Sequence, residues 1–172
     1  MKKLKIVVAG AGYMGRNHIR IFRSFDDVDL MAVVEPDVKI AKAINRIYGI
    51  KVYPSLKQIL RLHGIDIISI ASPTSTHYIL ASQTLRAGVT TFVEKPIAES
   101  VQQGQKLIEL SKERKVPLMV GHIERFNPAI VELKRRLKDN QLGKIFEIRS
   151  ERRGSFPERI SDVGVVIDLA TH

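Results

Sequence analysis

The chain contains no cysteine. Disulfides, thiolate metal sites and cysteine nucleophiles are therefore excluded. Its 5 histidines, His18, His63, His77, His122 and His172, are scattered along 172 residues and not set at ligand spacing, so no metal site is expected. There is also no apolar run near the roughly 20 residues that a membrane-spanning helix needs. The start, Met1-Lys2-Lys3-Leu4, has the charge of a signal peptide, but the apolar run behind it stops at Gly10 with no cleavage context. It reads as the first strand of a cytoplasmic protein.

What is present suits a soluble globular chain of one domain and a remainder, with 44% apolar residues to build a core. The net charge of +10 admits a nucleic acid, an anionic small molecule, or only a solvated surface as its explanation. Part of the charge is clustered: Lys134, Arg135, Arg136 and Lys138 fall on one predicted helix, and Arg149, Arg152, Arg153 and Arg159 follow around a predicted strand. Ile130, Leu133 and Leu137 mark the expected buried side of that helix, which makes a solvated basic face the simpler reading. If the charge is functional, its partner is a phosphate.

Chemistry concentrates first at Lys5-Ile6-Val7-Val8-Ala9-Gly10-Ala11-Gly12-Tyr13-Met14-Gly15, an apolar run broken by glycines spaced G-x-G-x-x-G. A strand feeding a tight turn and then a helix puts amide N–H groups at a helix N-terminus in front of an anion. In that arrangement Gly10 makes the turn, Gly12 lets a pyrophosphate lie on bare backbone, and Gly15 lets helix and strand pack closely. Glycine triplets are common in turns, so the surrounding pattern has to decide.

The pattern is β and α in strict alternation. Leu30–Val34 is a short continuous apolar strand, as strands buried on both faces are, and it ends at Glu35, 20 residues beyond Gly15. An acid at that point accepts hydrogen bonds from the adenosine ribose hydroxyls of NAD and repels a 2′-phosphate, so NAD is favoured over NADP, with nearby Lys39 as the one feature that keeps NADP open. A helix over 38–48 stops at Gly49; a strand over 51–53 precedes a helix expected over 56–63, capped by Ser55 and closed by Gly64. The strand 65–71 ends in Ser72-Pro73-Thr74-Ser75-Thr76-His77, a polar turn on the edge where open parallel sheets bind ligands, and His77 is expected to open the helix 77–87. The strand 90–93 ends in Glu94-Lys95-Pro96, placing a lysine on the same edge, where it can orient or protonate an oxygen without a metal.

After a further helix and the strand 118–121, the rhythm changes. Asn127 and Pro128 open a helix over 129–139, and Lys144–Glu151 alternates apolar and polar residues like a strand with one buried face. One strand and one helix do not make a stable sheet, so this part is expected to be the truncated start of a second α/β domain. The expected fold is α/β: a doubly wound parallel Rossmann sheet with helices on both faces over residues 1–122, then a connecting helix and an incomplete domain over 123–172.

These residues resemble the N-terminal half of the Gfo/Idh/MocA oxidoreductases, and the resemblance spans essentially the whole chain. It rests on Gly10-Ala11-Gly12-Tyr13-Met14-Gly15, on Ser72-Pro73-Thr74 with His77, on Glu94-Lys95-Pro96, and on Asp168-Leu169-Ala170-Thr171-His172, which matches a D-x-x-x-H motif. It implies NAD as cofactor, with Gly10, Gly12, Tyr13, Met14, Gly15, Glu35, Ser72, Pro73, Thr74, His77, Glu94 and Lys95 around it. It implies catalysis by His172 as general base, Asp168 one turn earlier orienting the substrate or the histidine, and Lys95 bonded to the reacting oxygen. Val120–Pro128 and Gly164–His172 resemble the branch that acts at the 3-hydroxyl of UDP-N-acetylglucosamine or its uronate. The implied partner is a small-molecule sugar or nucleotide sugar, in a homo-oligomer if the second domain is complete. An NAD-binding or nucleic-acid-binding regulatory module, supported by the basic helix, and an inactive remnant are the alternatives.

Overall fold

The structure, a computed structural model, describes residues 2–151. Asp168 and His172, and with them Arg152, Arg153 and Arg159, lie outside the described residues. The chain divides into two compact units, Met1–Gly121 and His122–His172.

The first unit is a six-stranded, wholly parallel sheet. Its strands are β1 (Leu4–Ala9), β2 (Val28–Val34), β3 (Val52–Tyr53), β4 (Ile67–Ile70), β5 (Thr90–Val93) and β6 (Leu118–Val120), in the spatial order β3-β2-β1-β4-β5-β6. Five helices connect them: α1 (Tyr13–Phe22), α2 (Val38–Tyr48), α3 (Leu56–Ile59), α4 (Thr74–Arg86) and α5 (Val101–Arg114). This is a Rossmann fold. The chain order reverses between β1 and β4, and the crevice outside that point is where such sheets take their ligands.

The apolar runs explain both faces. Because side chains alternate across a strand, Val7, Ala9, Ala32, Val34, Ile68, Ile70 and Val93 point into one core with Leu56, Ile59, Ala81, Leu85 and Leu107 from α3, α4 and α5. Val8 and Val33 point the other way, against Ile19 of α1 and Ile44 of α2. A central strand must be apolar on both sides to serve both cores, which is why β1 shows no polar alternation.

Two helices differ from expectation. α3 stops at Ile59 and does not reach His63, because past the half-buried Leu60 the residues Arg61, Leu62 and His63 are exposed and offer no packing to hold another turn. α4 begins at Thr74, three residues before His77, because Pro73 presets the first turn and its carbonyl accepts both the Thr76 N–H and the Thr76 hydroxyl.

In the second unit a short 3₁₀ turn (Ile123–Phe126) leads to α6 (Pro128–Lys138), with Asn127 capping the Ala129 N–H at 3.0 Å as expected. Two expectations fail here. Lys144–Glu151 forms no strand, since an extended segment needs a neighbour to take its backbone hydrogen bonds, and Phe146 is 86% exposed. The apolar side of α6 is not buried either: Ile130 and Leu133 are exposed, and no residue of the helix is buried. Its basic side is partly neutralised within the helix, where Glu132 accepts from both Arg135 and Arg136 and Arg135 also reaches Asp139. Those bonds, Arg135 foremost, hold the Glu132 carboxyl below its ordinary value. Among the described residues no helix is long and apolar enough to cross a membrane.

Candidate functional site

The glycine turn closes over the crevice between β1 and β4. Gly10 sits at φ +98°, and a Cβ there would lie 2.6 Å from the Ala71 carbonyl oxygen at the end of β4, so the turn is both left-handed and in contact with its neighbour. Gly15 is in the first turn of α1, where a Cβ would come within 2.0 Å of the Gly10 carbonyl oxygen. Gly12 is different: a Cβ on it would meet nothing within 4 Å. Gly12 is also the N-cap of α1, no side chain caps the helix, and its first turn holds no acid. The helix thus presents amide donors and the positive end of its dipole beside open space, which suits a pyrophosphate. Tyr13 lies exposed on that turn, with Met14 half-buried beside it.

Glu35, at the tip of β2, is buried with 8% exposure and turned toward the glycine turn. One carboxylate oxygen accepts the Ala11 N–H and the other the Asp37 N–H, both at 2.9 Å. The acid therefore fixes the turn, and a carboxylate with about four acceptor sites could still accept further hydrogen bonds. Replacing Glu35 with alanine would strand the buried Ala11 N–H, and a stability loss of about 1–3 kcal/mol is expected in urea unfolding. A cavity of about 410 Å³ adjoins Glu35, lined also by Val38, Lys42, Lys51 and Tyr53.

The other two loops on this edge are joined to each other. Ser72 donates to the Thr76 hydroxyl at 2.6 Å. His77, 1% exposed, places one ring nitrogen 2.8 Å from the Pro96 carbonyl and the other 2.9 Å from the Ser72 carbonyl. Carbonyls only accept, so a neutral ring donates to one of the two and lies in close polar contact with the other. With both nitrogens committed to the protein, His77 braces the Ser72 loop against the Lys95-Pro96 segment from within. Pro73 and Thr74 start α4 at the crevice.

Glu94 is also turned inward, at 7% exposure. His18 Nε2 donates to one of its oxygens at 3.0 Å, and the Lys95 backbone N–H donates to the other at 3.2 Å. His18 and its second partner, Ser69, are the residues that sequence reasoning missed. The signal was available: His18 lies on the apolar face of α1, and Ser69 interrupts an otherwise apolar strand, so each needs a buried polar partner.

These positions bring three loop ends and a helix N-terminus to one edge of the sheet. Residues 4–122 match the Gfo/Idh/MocA oxidoreductases, described as an oxidoreductase family with an NAD-binding Rossmann fold. The chain belongs to that family. Among curated Gfo/Idh/MocA relatives, a UDP-N-acetylglucosamine 3-dehydrogenase of Acidithiobacillus ferrooxidans is 30% identical over 172 residues, covering 100% of this chain and 52% of the relative. The chain thus spans about half the length of the curated relatives it matches. Two solved structures share the fold. GenD2 from gentamicin A biosynthesis, in complex with NAD, is 28% identical with a TM-score of 0.77, over 82% of this chain and 40% of that one. The WlbA dehydrogenase of Bordetella pertussis, in complex with NADH and UDP-GlcNAcA, is 23% identical with a TM-score of 0.80, over 84% of this chain and 45% of that one.

Proposed function

We propose that the chain is the cofactor-binding part of an NAD-dependent sugar dehydrogenase whose substrate is a nucleotide sugar of the UDP-N-acetylglucosamine type, oxidised at C3. The observation that carries this reading is the convergence on one sheet edge of the uncapped α1 N-terminus at Gly12, the buried carboxylate of Glu35, the Ser72-Pro73-Thr74 loop and Lys95. The 30% identical relative and the basic balance, which suits a diphosphate, support the substrate class.

NAD fits the residues: the glycine turn and α1 would hold its pyrophosphate, Glu35 its adenosine ribose, and the Ser72 and Lys95 loops its nicotinamide half. Bound there, it supplies the acceptor for a hydride from the sugar carbon. The protein's own task is the hydroxyl proton. In this reading His172 takes that proton, Asp168 orients the substrate or the histidine, and Lys95 hydrogen-bonds the oxygen as it becomes a carbonyl. The residues from 123 onward begin the substrate domain, and assembly with further copies belongs to the complete enzyme. The basic helix gives the nucleic-acid reading little support, because Arg135 and Arg136 are already bonded to Glu132.

The test is NADH formation from UDP-N-acetylglucosamine, by the 172-residue chain and by the chain completed to the length of its relatives. Turnover is expected from the completed enzyme and little or none from the chain by itself. In the completed enzyme Lys95→Ala should lower kcat about tenfold to thirtyfold, the worth of a charge-assisted hydrogen bond, and leave NAD affinity nearly unchanged. An unchanged kcat in that variant would remove Lys95 from the reaction.

A further inference from the structure

We propose that His18 is a positioning residue that ties the helix of the glycine turn to the backbone of Lys95. The proposal rests on the reading that places Lys95 at the nicotinamide half of the cofactor. His18 lies on α1 one turn beyond Gly15, and the residue is 9% exposed, between Ser69 of β4, which is fully buried, and Glu94 at the end of β5. Ser69 Oγ is 2.8 Å from Nδ1, and Glu94 Oε1 is 3.0 Å from Nε2. An ionised carboxylate only accepts, so Nε2 carries a proton, and in the neutral ring the Ser69 hydroxyl then donates to Nδ1. Phe22 and Phe92 flank the imidazole, with ring centroids 6.0 and 5.6 Å away. The ring is thus fixed in place and in tautomer.

What this fixes in turn is Glu94. Its second oxygen receives the Lys95 N–H, and its remaining side is closed by Gly121, where a Cβ would stand only 3.0–3.1 Å from the carboxylate. Held by His18 and hemmed by Gly121, the carboxylate keeps one orientation and so keeps the Lys95 backbone in one place. α1 is itself pinned at its start, where Gly15 lies against the Gly10 carbonyl. A helix anchored at the pyrophosphate end therefore reaches across β4 and sets the strand end that presents the lysine. His18 meets no reacting atom in this scheme; it acts through Glu94.

The test uses the ligand-free chain and two variants of one residue. The amide of Asn reaches Ser69 but falls short of Glu94, whereas the amide of Gln reaches Glu94. In His18→Asn, hydrogen exchange at the Lys95 amide should quicken about tenfold, and in His18→Gln it should stay near the natural rate. In calorimetry His18→Asn should weaken NAD about fivefold to tenfold while ADP-ribose, which lacks nicotinamide, binds as before, and His18→Gln should restore NAD. Unchanged Lys95 exchange in His18→Asn, or an equal loss for NAD and ADP-ribose, would overturn the proposal. If the natural chain binds neither ligand, the cofactor reading itself fails, and the exchange comparison still decides whether His18 holds Lys95. Should His18→Asn not fold, Glu94→Gln removes one acceptor from the same link, and the same faster Lys95 exchange is expected, its absence counting against the proposal.

Discussion

Gly15→Ala is expected to cost more than about 3 kcal/mol, enough to remove the cooperative urea transition of a marginally stable domain. The added methyl would lie 2.0 Å from the Gly10 carbonyl oxygen and 2.7 Å from its carbonyl carbon. Both are backbone atoms, so no side chain can swing aside. Gly10 cannot yield either, because its own Cβ position is only 2.6 Å from the Ala71 carbonyl and its φ is left-handed. The remaining response is to push α1 away from the sheet. That would lift Ile19 out of the core it shares with Val8, Val33 and Ile44, and separate His18 from Ser69 and Glu94. Overpacking and lost burial add here. A cooperative transition within about 1 kcal/mol of the natural chain would contradict the close packing of α1 on the turn.

Gly12→Val separates binding from folding. A side chain at this position meets nothing within 4 Å, and Gly12 has φ −68°, which any residue adopts. The only folding cost is a poorer N-cap, about 1 kcal/mol or less. The same open space is where a pyrophosphate would approach the first amides of α1, and a branched side chain there would keep it at a distance. NAD affinity is therefore expected to fall about 100-fold or more, since both the amide hydrogen bonds and the dipole contribution act only at short range. Circular dichroism and urea unfolding check the first half, calorimetry the second. A variant that binds NAD normally would move the pyrophosphate elsewhere.

Together the two substitutions explain why one short motif needed glycine for different reasons. Gly10 and Gly15 answer to the fold, and Gly12, which meets no such constraint, has the proposed ligand as its reason. The G-x-G-x-x-G spacing predicted the turn at Gly10 and the close packing at Gly15, and the apolar runs predicted the sheet, because both signals are local: a turn's φ and a strand's two-sided burial are written in adjacent residues. The placement of Glu35 was legible for the same reason, 20 residues beyond Gly15 at the end of an apolar strand. Its inward bonds to Ala11 and Asp37 were not, since they depend on how two loops meet.

What the sequence does not show shares a cause. His18, Ser69 and Glu94 are 51 and 25 residues apart in sequence, and only the order of β4 and β5 beside α1 brings them together. Spacing carries no trace of such a contact. Lys144–Glu151 has the alternation of a strand, but alternation states which side would be buried and not whether a neighbour exists to pair with it. The same holds for α6, whose apolar stripe is plain in the sequence, yet Ile130 and Leu133 are exposed and Leu137 only half-buried in the structure. His77 is expected beside the cofactor from its place in the loop, and its contacts with the Pro96 and Ser72 carbonyls add a bracing role between the two loops that spacing does not show.

The central claim is that the edge formed by the glycine turn, Glu35 and the Ser72 and Lys95 loops is an NAD site. Calorimetric titration of the 172-residue chain with NAD tests it most directly. Saturable binding at one site per chain, competed by ADP-ribose and lost in Gly12→Val while the fold remains, is the predicted result. A chain that is folded by circular dichroism and gives no binding heat with NAD would contradict it.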